Sequence, residues 1–133
     1  MVLVDKSNDK DTCFLKKLNK DRLCEKLFCD VALNVRGAKF LCHRFVLCQS
    51  SGYFRRMFRS RLEECGQCEV KILGPLDDEL EPNTMQQILE FIYTGNVRIQ
   101  DDNVYEILFA ADYLDICKLK LLCFDYIRIA YKR

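Results

Sequence analysis

Apolar and polar residues alternate along two short stretches, DVALNV and EVKI, which is typical of strands with one buried face. DVALNV (30–35) places two valines and a leucine at every second position, and KFLC (39–42) follows after an arginine–glycine pair. The pair suits a tight turn, so these two stretches predict a hairpin. EVKI (69–72) alternates in the same way and predicts a third strand.

Between these strands, apolar residues recur every three or four positions, which indicates amphipathic helices. The first helix falls within residues 11–28 and carries Phe14, Leu15 and Leu18 on one face. Further helical stripes run over 45–48, 53–62, 85–92, 104–114 and 119–127. Pro82 suits a first helical turn and Gly95 a helix end, with a short strand over 97–99 after it. A small three-stranded sheet with flanking helices is an α+β fold.

Length and composition indicate one folded domain. The chain has 133 residues, half of them hydrophobic and 31% charged, which is a globular composition. We assign residues 1–11 to a flexible amino-terminal segment and 12–133 to the domain. The first residues turn charged after position 4, which argues against a signal peptide. No apolar run approaches the roughly 20 residues of a membrane span. We therefore expect a protein of the cytoplasm or nucleus, with no membrane partner.

Nine cysteines are an unusual number for a chain of this length, and the number is odd. A secreted disulfide scaffold is usually short, loop-rich and even in its cysteine count. Most of these cysteines lie within apolar patterns, where a reduced thiol behaves as a small hydrophobic side chain. The pattern predicts a reducing compartment and no disulfide.

The sequence carries one candidate metal motif, the CxxC formed by Cys65 and Cys68. A structural zinc ion needs four ligands, usually from two such pairs. Cys42 and His43 are the remaining candidates, but adjacent residues at a strand end point in different directions. We therefore predict no zinc site.

His43 is the only histidine, so any histidine-dependent catalysis would require it. It stands at the start of an apolar helix, where a hydrogen-bonded structural histidine is the simpler interpretation. The five glycines are scattered over single turns, and none forms a phosphate-binding loop. We expect neither enzymatic activity nor a bound cofactor.

Five arginines between residues 44 and 61 raise the question of nucleic-acid binding. Acidic residues follow at 63, 64 and 69, and the net charge of the chain is only +1. The neighbouring aromatic residues belong to the apolar helix face and are not interleaved for base stacking. The pattern favours a solvated helix face and no direct nucleic-acid contact.

Four segments, taken together, resemble the BTB/POZ domain in their order and spacing. They are FCDVALNV (28–35), KFLCHRFVLCQSSGYFRRMF (39–58), ILEFIYTGNV (88–97) and NVYEILFAADYLDI (103–116), and the resemblance extends over about residues 14–131. Three features depart from the usual pattern. PLDDE (75–79) resembles an insertion, residues 22–27 are one residue longer than usual, and Cys42 and Cys48 replace smaller residues.

The resemblance implies a homodimerising interaction module. In the family, the first helix packs across a two-fold interface, which corresponds here to Phe14, Leu15 and Leu18, with Asp30 and Arg44 near the interface centre. Packing of these apolar residues within the monomer remains the alternative.

Two functional classes of the family remain open. Substrate adaptors of cullin-RING ubiquitin ligases, as in BTB-Kelch proteins, carry an apolar-x-glutamate motif after the second central helix. Leu62-Glu63-Glu64 occupies that position, so the resemblance implies cullin binding by Phe58, Leu62, Glu64 and Tyr113. The other class comprises zinc-finger transcriptional regulators, whose dimers recruit corepressor peptides.

Overall fold

The computed structural model describes residues 2–4, 12–25, 29–60, 68–72, 74 and 80–132. The helices within these ranges are α1 (Thr12–Lys20), α2 (Arg44–Ser50), α3 (Gly52–Ser60), α4 (Pro82–Thr94), α5 (Val104–Tyr113) and α6 (Cys117–Tyr131). The strands are β1 (Val2–Val4), β2 (Val31–Val35), β3 (Ala38–Cys42), β4 (Cys68–Lys71) and β5 (Asn96–Arg98). None of the described helices is long and apolar enough to cross a bilayer.

The central sheet has three strands, as predicted, and their order is β3–β2–β4. β2 and β3 form an antiparallel hairpin, and β4 lies parallel to β2 on its other side. Arg36 and Gly37 both have positive φ, 51° and 90°, which is the backbone of a primed two-residue turn. The Asn34 side chain accepts a hydrogen bond from the Gly37 N–H at 2.9 Å, which stabilises the turn.

A second, two-stranded sheet pairs β1 antiparallel with β5, so that Val2 lies opposite Arg98 and Val4 opposite Asn96. The sequence analysis places all of residues 1–11 in a flexible segment and does not predict β1. Three apolar residues are too few for a periodic signal, and their partner strand lies more than 90 positions away. The domain boundary at residue 12 stays a prediction.

Helix ends follow local sequence signals in one case and depart from them in another. α4 begins at Pro82 and is capped by Gly95, the residue after its end, whose φ is 78° and whose N–H donates to the Phe91 carbonyl at 2.8 Å. Either Asp102 or Asn103 is expected from the sequence to cap α5; Asn103 precedes the helix, but its side chain does not cap it. The Asn103 amide instead accepts from the Gln100 N–H and donates to the Arg98 carbonyl, which fixes the β5–α5 connection.

A π-helical turn, Asp21–Glu25, follows α1. Such a turn accommodates one extra residue within a helix. That residues 22–27 are one residue longer than usual stays a prediction, since residues 26 and 27 lie outside the described residues. Within this turn Arg22 is 7% exposed. Its guanidinium donates to Asn19 Oδ1 from two nitrogens, at 3.2 and 2.7 Å, and lies 4.8 Å from the centre of the Tyr93 ring. The turn therefore directs a cation into the protein interior.

The core forms around α4, which contacts α1, α2, α5 and β5. Its largest fully buried side chains are Tyr93, Phe54, Leu33, Leu47, Ile72, Met85, Ile88, Leu89, Ile99, Ile107, Leu114 and Ile116. His43 is also buried, and the Tyr93 hydroxyl accepts its backbone N–H at 2.9 Å and lies 2.8 Å from its Nδ1. His43 is thus a hydrogen-bonded structural residue, as predicted.

The five cysteines whose side chains are described, at positions 29, 42, 48, 117 and 123, are free thiols. Burial raises the pKa of Cys42 to about 12 and that of Cys123 to about 11, whereas Cys117 is exposed. The described residues contain no group of three or more potential metal ligands. Cys65 lies outside them, as does the side chain of Cys68, so the expectation of no zinc or disulfide stays a prediction.

Replacement of Tyr93 by Phe should lower the free energy of unfolding by about 1–3 kcal/mol, because the buried His43 N–H and Nδ1 lose their partner. Tyr113→Phe is the matched control, since the Tyr113 hydroxyl makes only a 3.4 Å contact and is half-buried. The free energy of unfolding of this control should differ from that of the wild type by no more than about 0.5 kcal/mol. Urea unfolding monitored by circular dichroism measures both, and equal losses would contradict the assignment.

Alkylation of the native protein near neutral pH should modify Cys117 and leave Cys42 and Cys123 unmodified. The thiolate is the reactive form, and burial both raises the pKa of the two interior thiols and blocks access to them. Peptide mass spectrometry after timed iodoacetamide treatment resolves each site. Labelling of Cys42 at the rate of Cys117 before unfolding would show that the core is open.

Candidate protein-interaction site

Asp30 and Arg44, both assigned from the resemblance to a dimer interface, are in contact. One carboxylate oxygen of Asp30 accepts the backbone N–H of Arg44 at 2.8 Å. Arg44 is the first residue of α2, so the carboxylate lies at the positive end of the helix dipole. The Asp30 N–H in turn donates to the Cys42 carbonyl at 3.1 Å, which holds the carboxylate beside the helix start.

The Arg44 side chain extends to Phe58, a residue of the predicted cullin-binding site. Its guanidinium carbon lies 5.6 Å from the centre of the Phe58 ring, within the range of a cation–π contact. Phe58 stacks on Phe54 with ring centres 5.8 Å apart and is only 7% exposed. Phe58 therefore belongs to the hydrophobic core, and it links α2 to α3.

Leu15 and Leu18 are half-buried and pack against the core, so part of their apolar surface is used within the monomer. Phe14 belongs to α1, but its side chain is not among those described. Two other large apolar side chains are exposed: Leu23, in the turn after α1, at 59%, and Phe45, which directly follows Arg44 in α2, at 68%. The exposure of Phe45 does not follow from the apolar stripe over 45–48, because its helix is too short to reveal which side faces outward.

Helix α3 begins against the end of α5. Ser51 caps α3 by accepting the Phe54 N–H at 3.1 Å, and its hydroxyl donates to the Leu114 carbonyl at 2.5 Å. The Gly52 N–H donates to the Asp115 carbonyl and the Tyr53 N–H to that of Leu114, at 3.1 and 3.4 Å. We call this contact, formed by residues 51–53 and 114–115, the α3–α5 junction.

Tyr113, expected at the cullin-binding site, lies directly beside this junction. Its ring centre is 5.0 Å from that of Tyr53, and the two hydroxyls are 3.4 Å apart. Phe58 stands on the same helix as Tyr53, less than two turns further along. The other two predicted residues, Leu62 and Glu64, lie outside the described residues.

Exposed apolar side chains concentrate on α5 and α6, which the sequence analysis did not single out. They are Tyr105, Phe109, Leu121, Phe124, Ile129 and Tyr131, each at least 46% exposed. The hydroxyls of Tyr105 and Tyr131 are 2.9 Å apart, so the start of α5 meets the end of α6. Exposed aromatic groups at this density are typical of protein-interaction surfaces.

An open depression at the corner between α4, β5 and α5 is lined only by polar side chains. They belong to Asn83, Gln87, Arg98, Gln100, Asp102, Asn103 and Glu106. This lining contains no serine, cysteine or histidine that could act as a nucleophile or general base. Amides and solvated charges dominate it, so the depression does not resemble an active site.

Comparison with known proteins agrees with this geometry. A sequence model of the family described as BTB/POZ domain matches residues 18–129. Kelch-like protein 40 of Xenopus laevis is 35% identical over 109 residues, which cover 82% of this chain and 17% of that protein. Human Kelch-like protein 38 is 34% identical over 126 residues, which cover 95% of this chain and 21% of that protein. The chain thus spans about a fifth of the length of these relatives.

Two solved structures have the same architecture. The BTB domain of zebrafish PATZ1 superposes with a TM-score of 0.75 at 26% identity, covering 95% of this chain and 98% of that one. The BTB (Tramtrack and Bric a brac) domain of human gigaxonin superposes with a TM-score of 0.74 at 22% identity, covering 93% of this chain and 95% of that one. With its three-stranded sheet, flanking helices and this family match, the chain belongs to the BTB/POZ domain family.

Proposed function

We propose that this BTB/POZ chain is a homodimeric adaptor module that binds a cullin scaffold in a cullin-RING ubiquitin ligase. The observation that carries the proposal is its 34–35% identity to two Kelch-like proteins over most of its length. The motif at residues 62–64 points to the same class, because it resembles the apolar-x-glutamate motif of BTB-Kelch adaptors.

The proposed dimer interface comprises Phe14, Leu15, Leu18, Asp30 and Arg44. The exposure of Leu23 and Phe45 supports it, because large apolar side chains gain free energy when a second copy removes them from water. Asp30 contributes through the start of α2, whose first N–H it accepts. Its role in the interface is therefore to hold α2 and Arg44 in position as much as to contact the partner.

The proposed cullin-binding residues are Phe58, Leu62, Glu64 and Tyr113. Leu62 would fill an apolar pocket of the cullin, and Glu64 would form a hydrogen bond at its rim. Because Phe58 is 7% exposed, its part would be to support the helix end from the core. Tyr113 is half-buried against Tyr53 and keeps an exposed part for a partner.

Sedimentation equilibrium at micromolar concentration should give about twice the chain mass of 15.7 kDa. Phe45→Asp should yield the monomer, because a charge would be buried at the proposed interface without a partner. Leu121→Asp is the matched control, since Leu121 is equally exposed but lies on α6. A monomeric wild type, or a dimer that tolerates Phe45→Asp, would overturn this interface.

Calorimetric titration with a cullin amino-terminal domain should detect binding to the wild-type chain. Leu62→Ala should weaken it by about 2 kcal/mol, roughly thirtyfold, and Leu62→Asp should abolish it while the melting temperature is retained. Glu64→Ala should have an intermediate effect. Glu63→Ala is the control with little effect, since Glu63 is expected to face solvent.

A wild-type chain that does not bind at tens of micromolar would contradict the adaptor proposal. Recruitment of corepressor peptides by a transcriptional regulator would then replace it. A fall in melting temperature that parallels the affinity loss in Leu62→Ala would instead place Leu62 in the core.

A further inference from the structure

We propose that the outer face of α5 and α6 is a second surface through which the chain binds a copy of itself, with α5 of each copy packed on α6 of the other. This α5–α6 face consists of Tyr105, Phe109, Leu121, Phe124 and Tyr131. It shares no residue with the proposed dimer interface or with the proposed cullin-binding residues. Association through it would therefore join dimers into a larger assembly.

Two contacts, one at each end, hold α5 and α6 side by side in opposite directions. The hydroxyls of Tyr105 and Tyr131 are 2.9 Å apart, where α5 begins and α6 ends. At the other end, Lys120 Nζ donates to a carboxylate oxygen of Asp112 at 3.2 Å. Phe109 lies between Tyr105 and Asp112 along α5, so it falls between the two contacts. The exposed apolar side chains of the two helices thus lie along one antiparallel pair.

The exposed positions on both helices recur at the spacing found where one helix packs on another. On α6 a row of exposed residues occupies positions 117, 121, 124, 128 and 131, in alternating steps of four and three. On α5 the exposed positions 105, 109 and 112 follow the same spacing. Such a row runs along one side of a helix and forms the seam in coiled coils and four-helix bundles. The α5–α6 face therefore suits a second pair of helices.

The charges of the two helices favour a second copy of the chain as that pair. α5 carries only acidic charges, at Glu106 and Asp112. α6 carries a net positive charge, from three basic residues and one acidic residue. A copy can be turned so that its basic helix lies on the acidic helix, and the face is then complementary to itself.

Of the two two-fold arrangements that align the helices, only one uses this complementarity. An axis parallel to the helices places α5 of each copy on α6 of the other, and the four helices form an antiparallel bundle. An axis perpendicular to the helices would place α5 on α5 and α6 on α6, with like charges together. The first arrangement also brings together the ends that carry Tyr105 and Tyr131 in both copies.

The area of the α5–α6 face determines how strongly two copies associate. Its five side chains are between 46% (Tyr105) and 76% (Tyr131) exposed. A large side chain that is roughly half exposed offers about 100 Å², so the face offers about 500 Å² per chain. Two copies would bury about 1,000 Å², the lower limit of a specific interface. We therefore expect a dissociation constant on the order of 100 µM, which sedimentation at micromolar concentration does not detect.

Sedimentation equilibrium of the 133-residue chain, from about 1 to about 500 µM, tests the proposal. The wild type should change from the dimer mass at the lowest concentration to about twice that mass at the highest. Leu121→Asp should keep the dimer mass throughout, because a charge would be buried in the α5–α6 face without a partner. Phe109→Asp is a second variant on the other helix and should act in the same way. Thermal melts establish that each variant is folded.

Ile129→Asp is the matched control on the same helix. Ile129 is 48% exposed, but it lies about 100° around α6 from the neighbouring position 128 and so outside the row of exposed residues. This variant should still form the larger assembly. Loss of that assembly in Ile129→Asp as well would overturn the proposal, because any added charge on α6 would then have the same effect.

A pair of charge reversals tests the arrangement of the two copies. Glu106→Lys on α5 and Arg128→Glu on α6 should each weaken the association about threefold, as is typical of exposed charges at an interface. The chain that carries both changes should regain most of the lost affinity, because its α5 and α6 have exchanged charges. A double variant weaker than either single variant would place like helices together and overturn the arrangement.

The outcomes separate this proposal from the proposed function. A wild type whose mass stays constant up to the highest concentration overturns self-association through the α5–α6 face and leaves the face to a different protein. A wild type that is monomeric at about 1 µM and dimeric at the highest concentration contradicts only the proposed dimer interface, provided that Leu121→Asp stays monomeric. Phe45→Asp should likewise be monomeric at the lowest concentration and dimeric at the highest, which would support both interfaces.

Discussion

The buried hydroxyl of Tyr93 is the point at which the separate elements of this domain meet. It stands near the end of α4 and satisfies both the backbone N–H and the imidazole of His43, where β3 passes into α2. The face of its ring carries the Arg22 guanidinium from the turn after α1. A buried phenol must keep its hydrogen bonds or lose stability, so this one side chain fixes three connections at once.

A chain of direct contacts joins the proposed dimer interface to the proposed cullin-binding residues. Arg44 begins α2 under the control of Asp30, and its guanidinium lies on Phe58 of α3. α3 in turn is anchored at its start by the carbonyls that end α5. α2 and α3 are also joined by Arg55, whose guanidinium donates to the Cys48 carbonyl at 3.1 and 2.9 Å. The two proposed surfaces therefore lie on helices that are in direct contact.

The sequence predicts those features that depend on neighbours along the chain. Alternation in β2, the turn at Arg36 and Gly37, and the proline and glycine that bound α4 are all local signals, and each is found in the structure. The strand β1 and the outward orientation of Phe45 depend on distant partners and are missed.

The contacts of the candidate site likewise depend on residues that are distant along the chain. The family resemblance implies that Asp30 and Arg44 both lie near an interface centre, but their contact joins residues 14 positions apart and could not be derived from periodicity. The α3–α5 junction joins residues about 60 positions apart, and no local pattern in the sequence predicts it.

The π-helical turn after α1 bears on how this domain tolerates changes in chain length. A single inserted residue in an α-helix rotates everything beyond it by about 100°, which would misdirect the strand that follows. A π turn can absorb such a residue locally. In this chain the turn holds Arg22, so a change in its length would move the guanidinium that lies over the Tyr93 ring. The cation in the interior thus depends on the length of this five-residue turn as well as on its sequence.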